Sequence, residues 1–288
     1  MFRKAERKQA KLRLGLCGPS GSGKTYGALM LAKGLGGKIA LIDTERGSAS
    51  LYSDLVDFDI CQLDAPFTPA RYIQAVKEAE KNNYDILIID SLSHAWAGEG
   101  GVLEMQSNAT ATSKSQNSYM AWREVTPEQN KLVNTIIQSK LHVICCMRSK
   151  TEYALTNDNG KVKPIKIGMA PVQRDGLEFE FDCFLDLIPG NNKYSTSKDR
   201  TRVLKEYEGS ILSVEHGAKL KEWLMDGTSI EEEISFLSEH FSKASDLSEL
   251  KQLFEISLKT HPHLTDEIII LKDNRKEQLQ KEVENENI

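Results

Sequence analysis

No apolar run in this chain approaches the roughly 18 residues that a membrane-spanning helix needs, although 40% of its 288 residues are hydrophobic and 27% are charged. That balance predicts a globular protein that works away from the membrane. The opening stretch, MFRKAERKQAKLR, holds no apolar segment of the kind a secretory signal uses, so the expected location is the cytoplasm. The five cysteines (Cys17, Cys61, Cys145, Cys146, Cys183) show no C-x-x-C spacing, which removes the usual zinc motifs. Three of them stand in apolar runs, and the set reads as reduced core thiols. His261 and His263 flank Pro262 without further ligands nearby in the sequence, so no metal other than nucleotide-bound Mg²⁺ is expected. Nor is there an internal repeat at a fixed period.

The formal net charge is only −5, yet it is unevenly spread. Residues 226–288 carry 7 Lys/Arg against 15 Asp/Glu, a net of −8, which leaves the preceding 225 residues at +3. The length suits one large α/β core with an appendage. The expected division is a basic arm over residues 1–13, a core over 14–225 and an acidic helical extension over 226–288.

Residues 11–17 (KLRLGLC) read as a strand entering a Gly-rich turn, with a helix from Lys24 onward. KIALID, YDILIID and LHVICCM are near-continuous apolar runs, the pattern of strands buried on both faces of a parallel sheet. ARYIQAVKEAEKNN and residues 126–140 read as helices, the latter started by T-P-E. Strand and helix alternate, which predicts an α/β architecture. After Arg148 the segments EFEFDCFLDLI and KYSTSKDRTRVLKEY alternate like strands of a hairpin or meander added at one edge. From Thr228 the period is helical, with apolar faces over residues 229–241 and 246–259.

GPSGSGKT, Gly18, Pro19, Ser20, Gly21, Ser22, Gly23, Lys24 and Thr25, matches G-x-x-x-x-G-K-[ST] between a predicted strand and a predicted helix. Glycines let backbone N–H groups curl around phosphate, Lys24 reaches the β- and γ-oxygens, and the Thr25 hydroxyl ligates Mg²⁺. ATP and Mg²⁺ are the expected ligands. Asp90 closes YDILIID where a second metal-side carboxylate belongs, and it is followed by Ser91 rather than Glu. A hydrolytic base must then come from another strand. Glu45, in LIDTE, would leave the same sheet edge as the phosphate loop if KIALID lies beside YDILIID; the plain alternative is a solvated acid in a turn.

The order GPSGSGKT, LIDTE, LIIDS, LHVICCMR and KDR resembles the ATPase core of the RecA family of recombinases and hexameric motors. It is most similar to phage-encoded RecA-core ATPases associated with single-strand annealing. The resemblance covers roughly residues 11–207 and implies a RecA-like P-loop core with a mostly parallel central sheet. It implies Glu45 as the base and Arg148 in the place that senses the γ-phosphate, where relatives commonly carry Gln. Lys198 and Arg200 resemble a basic pair inserted into a neighbouring subunit's site, which implies a homo-oligomer, ring or filament, with contacts in trans. A phage-encoded protein of this kind would work in its bacterial host's cytoplasm.

The same resemblance implies two nucleic-acid loops, residues 98–118 and 150–174. The first holds Lys114; the second holds Lys150, Lys161, Lys163, Lys166 and Arg174, a basic density suited to phosphate contacts, with Tyr153 as a stacking ring. The expected function is an ATPase, stimulated by single-stranded DNA, in recombination or replication. Its alternative is a nucleotide-gated adaptor that presents the acidic helices to a replication or packaging protein with little hydrolysis. A small-molecule kinase is disfavoured because no Arg-rich lid is visible.

Overall fold

The apolar runs at 13–18, 39–43, 86–90 and 142–147 become neighbouring strands of one sheet, buried on both faces. The computed structural model describes residue 4 and residues 7–113, 117–158 and 161–286. The chain divides into two units, Ala10–Leu224 and a second made of Met225–Ile288 with Met1–Gln9.

In the first unit the order is β1 (Arg13–Gly18), α1 (Lys24–Leu35), β2 (Ile39–Asp43), β3 (Asp59–Gln62), α2 (Pro69–Lys81), β4 (Ile86–Asp90), α3 (Ser93–Ala97), α4 (Val102–Thr112) and α5 (Ser118–Gln138). It continues with β5 (His142–Asp158), β6 (Lys161–Pro171), β7 (Cys183–Leu187), β8 (Tyr194–Asp199) and α6 (Val214–Leu224). The sheet order is β3-β2-β4-β5-β1-β7-β8, parallel except for β8, with β6 antiparallel to the outer part of β5. This is an α/β P-loop core with a mostly parallel central sheet, with β5 between the phosphate-loop strand and the strand of Asp90.

Strand alternation sends Leu14, Leu16, Ile88 and Ile144 to a core with α1 and α6. It sends Cys17, Ile89, Val143 and Cys145 to a second core with α2 and α5. Of the five thiols, Cys17, Cys145, Cys146 and Cys183 are buried, while Cys61 on the edge strand β3 is exposed, so the expectation of core thiols fails there. Burial pushes the Cys17 and Cys145 thiols up to about 12.

Three expectations are corrected by tertiary context. Residues 98–118 are not a loop: α4 fills most of the stretch and α5 begins at Ser118, eight residues before the T-P-E start, capped by the Asn117 side chain, which accepts from the Tyr119 N–H. Pro127 lies inside α5, on its exposed face. Of residues 150–174, 150–158 and 161–171 lie on the antiparallel strands β5 and β6 rather than in a loop. Leu177–Glu180 (LEFE) form a short 3₁₀ turn, and the strand starts only at Cys183.

In the second unit, α7 (Ile230–Ser242), α8 (Leu247–Thr260) and α9 (Thr265–Glu286) enclose Leu237, Phe241, Leu250, Leu264, Ile268 and Leu279. Ser229 and Glu232 form a reciprocal capping box on α7, and Asp246 caps α8. Two amino-terminal basic residues, Arg7 and Lys8, are engaged within this unit. Arg7 Nε pairs with Asp226 at 3.1 Å and Lys8 Nζ with the buried Glu233 at 2.5 Å, while the Gln9 N–H donates to the Thr228 carbonyl. Arg13, at the far end of the expected arm, is instead buried in β1, where its guanidinium donates to the carbonyls of Ile137 and Leu141.

Helices α1 and α6 cross at glycines: a Cβ on Gly34 would meet the Val214 carbonyl, and one on Gly217 the Leu31 carbonyl. Alanine in a helix interior ordinarily stabilises by about 1 kcal/mol over glycine. Gly34→Ala and Gly217→Ala are expected to lower stability by about 1–3 kcal/mol instead, through overpacking, read as a lower urea midpoint.

Candidate active site

The site forms at the sheet edge where β1, β2 and β4 end and β5 runs on outward through Arg148. β1 closes at Gly18, residues 19–23 turn, and α1 opens at Lys24. The turn needs its glycines: Gly21 and Gly23 hold φ of 75° and 86°, in the left-handed region. Ser22 is buried beneath the turn against Gly18, where a Cβ would strike its hydroxyl. The buried Lys24 folds back over the loop, its Nζ donating to the carbonyls of Gly18 at 3.0 Å and Pro19 at 2.9 Å. Nothing lies within 4 Å of a Cβ position on Gly21, so the loop's outer face is open. A helix N-terminus, an open glycine turn and an ammonium group together fit a polyphosphate.

Thr25 stands one residue into α1, and its Oγ1 donates to Asp90 Oδ2 at 2.5 Å. A hydroxyl and a carboxylate held side by side are hard oxygen donors of the kind Mg²⁺ takes when nucleotide phosphates complete its shell. Burial pushes the Asp90 carboxyl from 3.8 up to about 6, with Glu45 nearby adding to the rise; the Thr25 hydroxyl and Lys24 oppose it.

Glu45 is placed by the turn after β2. Parallel pairing sets Asp43 level with Asp90 and Gly18 level with Arg148. The buried Asp43 carboxylate accepts from the N–H groups of Glu45 (2.5 Å) and Ala49 (3.1 Å), and the Thr44 N–H donates to the Asp90 carbonyl at 2.8 Å. Thr44 Oγ1 accepts from the Ser91 N–H at 2.8 Å and lies 2.7 Å from His94 Nδ1. From this turn Glu45 Oε1 meets Arg148, accepting from Nε at 3.0 Å and lying 2.9 Å from Nη2. The Arg148 N–H in turn donates to Ser93 Oγ at 2.9 Å. Asp43, Thr44, Ser93 and His94 are absent from the sequence-predicted set. IDTE and DSLSH carried them in plain view, but only the Glu and Asp matched a chemistry that pattern reading looks for.

Other predicted residues stand elsewhere. Lys198 pairs in register with Phe184 on β7, and the Arg200 N–H donates to the Asp182 carbonyl, at the level where β1 begins. They therefore sit at the opposite end of the sheet from Gly18. Lys198 Nζ donates to the Phe179 carbonyl and Arg200 pairs with Asp182 at 3.2 Å. Lys150 is exposed near the base of the hairpin, and Arg174, just beyond its other strand, donates to Asn130 Oδ1 at 3.1 Å. Lys161, Lys163 and Lys166 stand on β6 and Tyr153 on β5; their side chains, and Lys114 altogether, lie outside the described residues. Among the described residues no helix is long and apolar enough to cross a membrane, and no cluster of His, Cys, Asp and Glu suits a metal ion.

The folded protein keeps the Asp90 proton up to about pH 6, whereas the unfolded chain releases it near 3.8. Between those values the folded state binds the extra proton, so raising the pH through this window destabilises the metal-free protein. Asp90→Asn is expected to melt higher than the wild type at pH 7, with the gap closing below about pH 4, and to lose Mg²⁺-dependent nucleotide binding. Calorimetry across that range checks it.

No curated protein sequence matches this chain. Among solved structures, a crystal structure of the RadB recombinase is similar at 17% sequence identity and a TM-score of 0.38, over 67% of this chain and 84% of that one. A family model described as an AAA domain matches residues 10–209, the span that carries the phosphate loop, Glu45, Asp90 and Arg148. On that match the chain belongs to the AAA domain family, with a nucleotide-binding P-loop core.

Proposed function

We propose that the chain is a Mg²⁺-dependent ATPase that binds single-stranded DNA and serves recombination or replication of the phage type in the cytoplasm. The observation that carries the reading is Glu45 paired with Arg148 on the sheet edge that also holds Thr25 and Asp90. The loop amides and Lys24 bind the β- and γ-phosphates, and Thr25 with Asp90 holds Mg²⁺, which supplies neutralisation of phosphate charge. Glu45 orients the attacking water and takes its proton. Arg148 braces the Glu45 carboxylate and offers positive charge beside the γ-phosphate position.

Coupling to DNA is supported by continuity of the backbone. β5 runs without a break from the core through Arg148 into the hairpin that carries Lys150, Lys161, Lys163 and Lys166, with Arg174 following β6. At the hairpin's foot the Val172 N–H donates to the Arg148 carbonyl at 2.7 Å, and Gln173 Nε2 donates to the Leu92 carbonyl at 3.0 Å. A strand bound along the hairpin thus pulls on the segments that hold Glu45 and follow Asp90. Lys198 and Arg200, remote from the phosphate loop of their own chain, serve a neighbouring copy in a ring or filament.

A nucleotide-gated adaptor is the second reading. It is favoured by the same ion pair, because one Glu45 oxygen is already engaged by Arg148, and it would assign the acidic helices to a replication or packaging partner.

Turnover of ATP with and without single-stranded DNA separates the two. DNA is expected to raise the wild-type rate, with a salt-sensitive affinity. Glu45→Gln is expected to lower turnover by about 10²–10⁴-fold while still binding ATP, and Lys24→Ala to lose binding. Turnover indifferent to both DNA and Glu45 overturns the DNA-coupled reading with Glu45 as base, and ATP bound without turnover favours the adaptor.

A further inference from the structure

We infer that His94 is a positioning residue that holds the Glu45 turn in place through the Thr44 hydroxyl. The inference rests on the reading of Glu45 as the hydrolytic base, and it concerns groups outside the phosphate loop.

Thr44 lies between Asp43 and Glu45, and its buried hydroxyl is the side-chain tie between the end of β2 and the segment after β4. That hydroxyl has one proton to give. It already accepts from the Ser91 N–H at 2.8 Å, and the acceptors within reach of its own proton are His94 Nδ1 at 2.7 Å, the Ser91 carbonyl at 3.4 Å and the Tyr72 hydroxyl, which itself donates to that carbonyl at 3.1 Å. The shorter and better bond goes to His94, which requires Nδ1 to be the bare nitrogen of a neutral ring, with the proton on Nε2. The ring is held for this by stacking on Phe67, with centroids 4.9 Å apart and planes 25° from parallel. Phe67 is itself fixed by donating its N–H to the Glu99 carbonyl at 2.6 Å. Burial and the nearby Arg148 guanidinium both lower the ring's affinity for a second proton, which Glu45 opposes.

Without the Nδ1 acceptor, the Thr44 proton is left to the long contact to Ser91 or to the Tyr72 hydroxyl on α2, and the β2–β4 tie next to Glu45 slackens. Displacements of about 1 Å at such a site cost up to about 10²-fold in rate. Nucleotide affinity resides in the phosphate loop and stays as it is.

Three variants separate the bond from the packing. His94→Phe keeps a ring against Phe67 but has no acceptor; His94→Asn supplies an oxygen near the Nδ1 position; His94→Ala removes both. In steady-state ATP turnover, His94→Phe and His94→Ala are expected to lose about 10-fold or more in kcat. Their KM, and their affinity for a fluorescent ATP analogue, should stay within about twofold of wild type. His94→Asn should recover most of the rate. The inference is overturned if His94→Phe turns over like the wild type, if His94→Asn is as slow as His94→Phe, or if nucleotide affinity falls in step with kcat in all three. A wild type that binds ATP without hydrolysing it overturns the ATPase reading and this inference together. An active wild type with an indifferent His94 overturns this inference alone.

Discussion

Parallel pairing of β1, β5, β4 and β2 is the constraint on which the site depends. With side chains alternating between two buried cores, the register of each strand is pinned, because a one-residue slip would turn every apolar side chain to the wrong face. That register sets Gly18 level with Arg148 and Asp43 level with Asp90. The chemistry-bearing groups then leave the sheet at one height, the crevice at the carboxyl ends of the strands where open α/β sheets take ligands. β5, between β1 and β4, leaves room between the phosphate loop and Asp90 while putting Arg148 across from Glu45.

The site is held at a cost to the fold. Asp90 is a buried carboxyl whose charge is opposed by its surroundings and relieved mainly by the Thr25 hydroxyl. Removing one partner from such a group leaves the other unpaired in a low dielectric. The carboxylate stands among Ile88, Ile89 and Cys146, where an apolar residue would pack better. Local rules that fail inside an otherwise consistent core are the mark of a functional site.

The turn from Asp43 to Ala49 shows how such a site is made rigid. Glu45 is held by main-chain and side-chain bonds from both sides: Asp43 fixes the turn from within, and Thr44 ties it to the segment after β4. The hairpin beyond Arg148 extends the same strand outward, so a core element and a surface element share one backbone. The acidic unit has its own capped helices and core, and its buried Glu233 is matched by Lys8 and by His263, 2.9 Å away.

The phosphate loop, the strand of Asp90 and the α/β class were legible in the sequence because each rests on local signals: glycines at fixed offsets, apolar runs of strand length and a helix beginning at Lys24. Residues 98–118 misread as loop because Gly, Ser, Thr and Asn are weak helix formers, and α4 gains its stability by packing against α5. The basic residues at 7 and 8 looked like a free arm because their acidic partners at 226 and 233 lie more than 200 positions away. By itself, then, the sequence determined where the glycine-rich loop motif lies and that carboxylates stand at the ends of two buried strands. Only the tertiary structure decided that Glu45 meets Arg148, that His94 reaches Thr44, and that Lys198 and Arg200 stand at the far end of the sheet. Strand order and register are properties of non-local pairing, which no window along the chain contains.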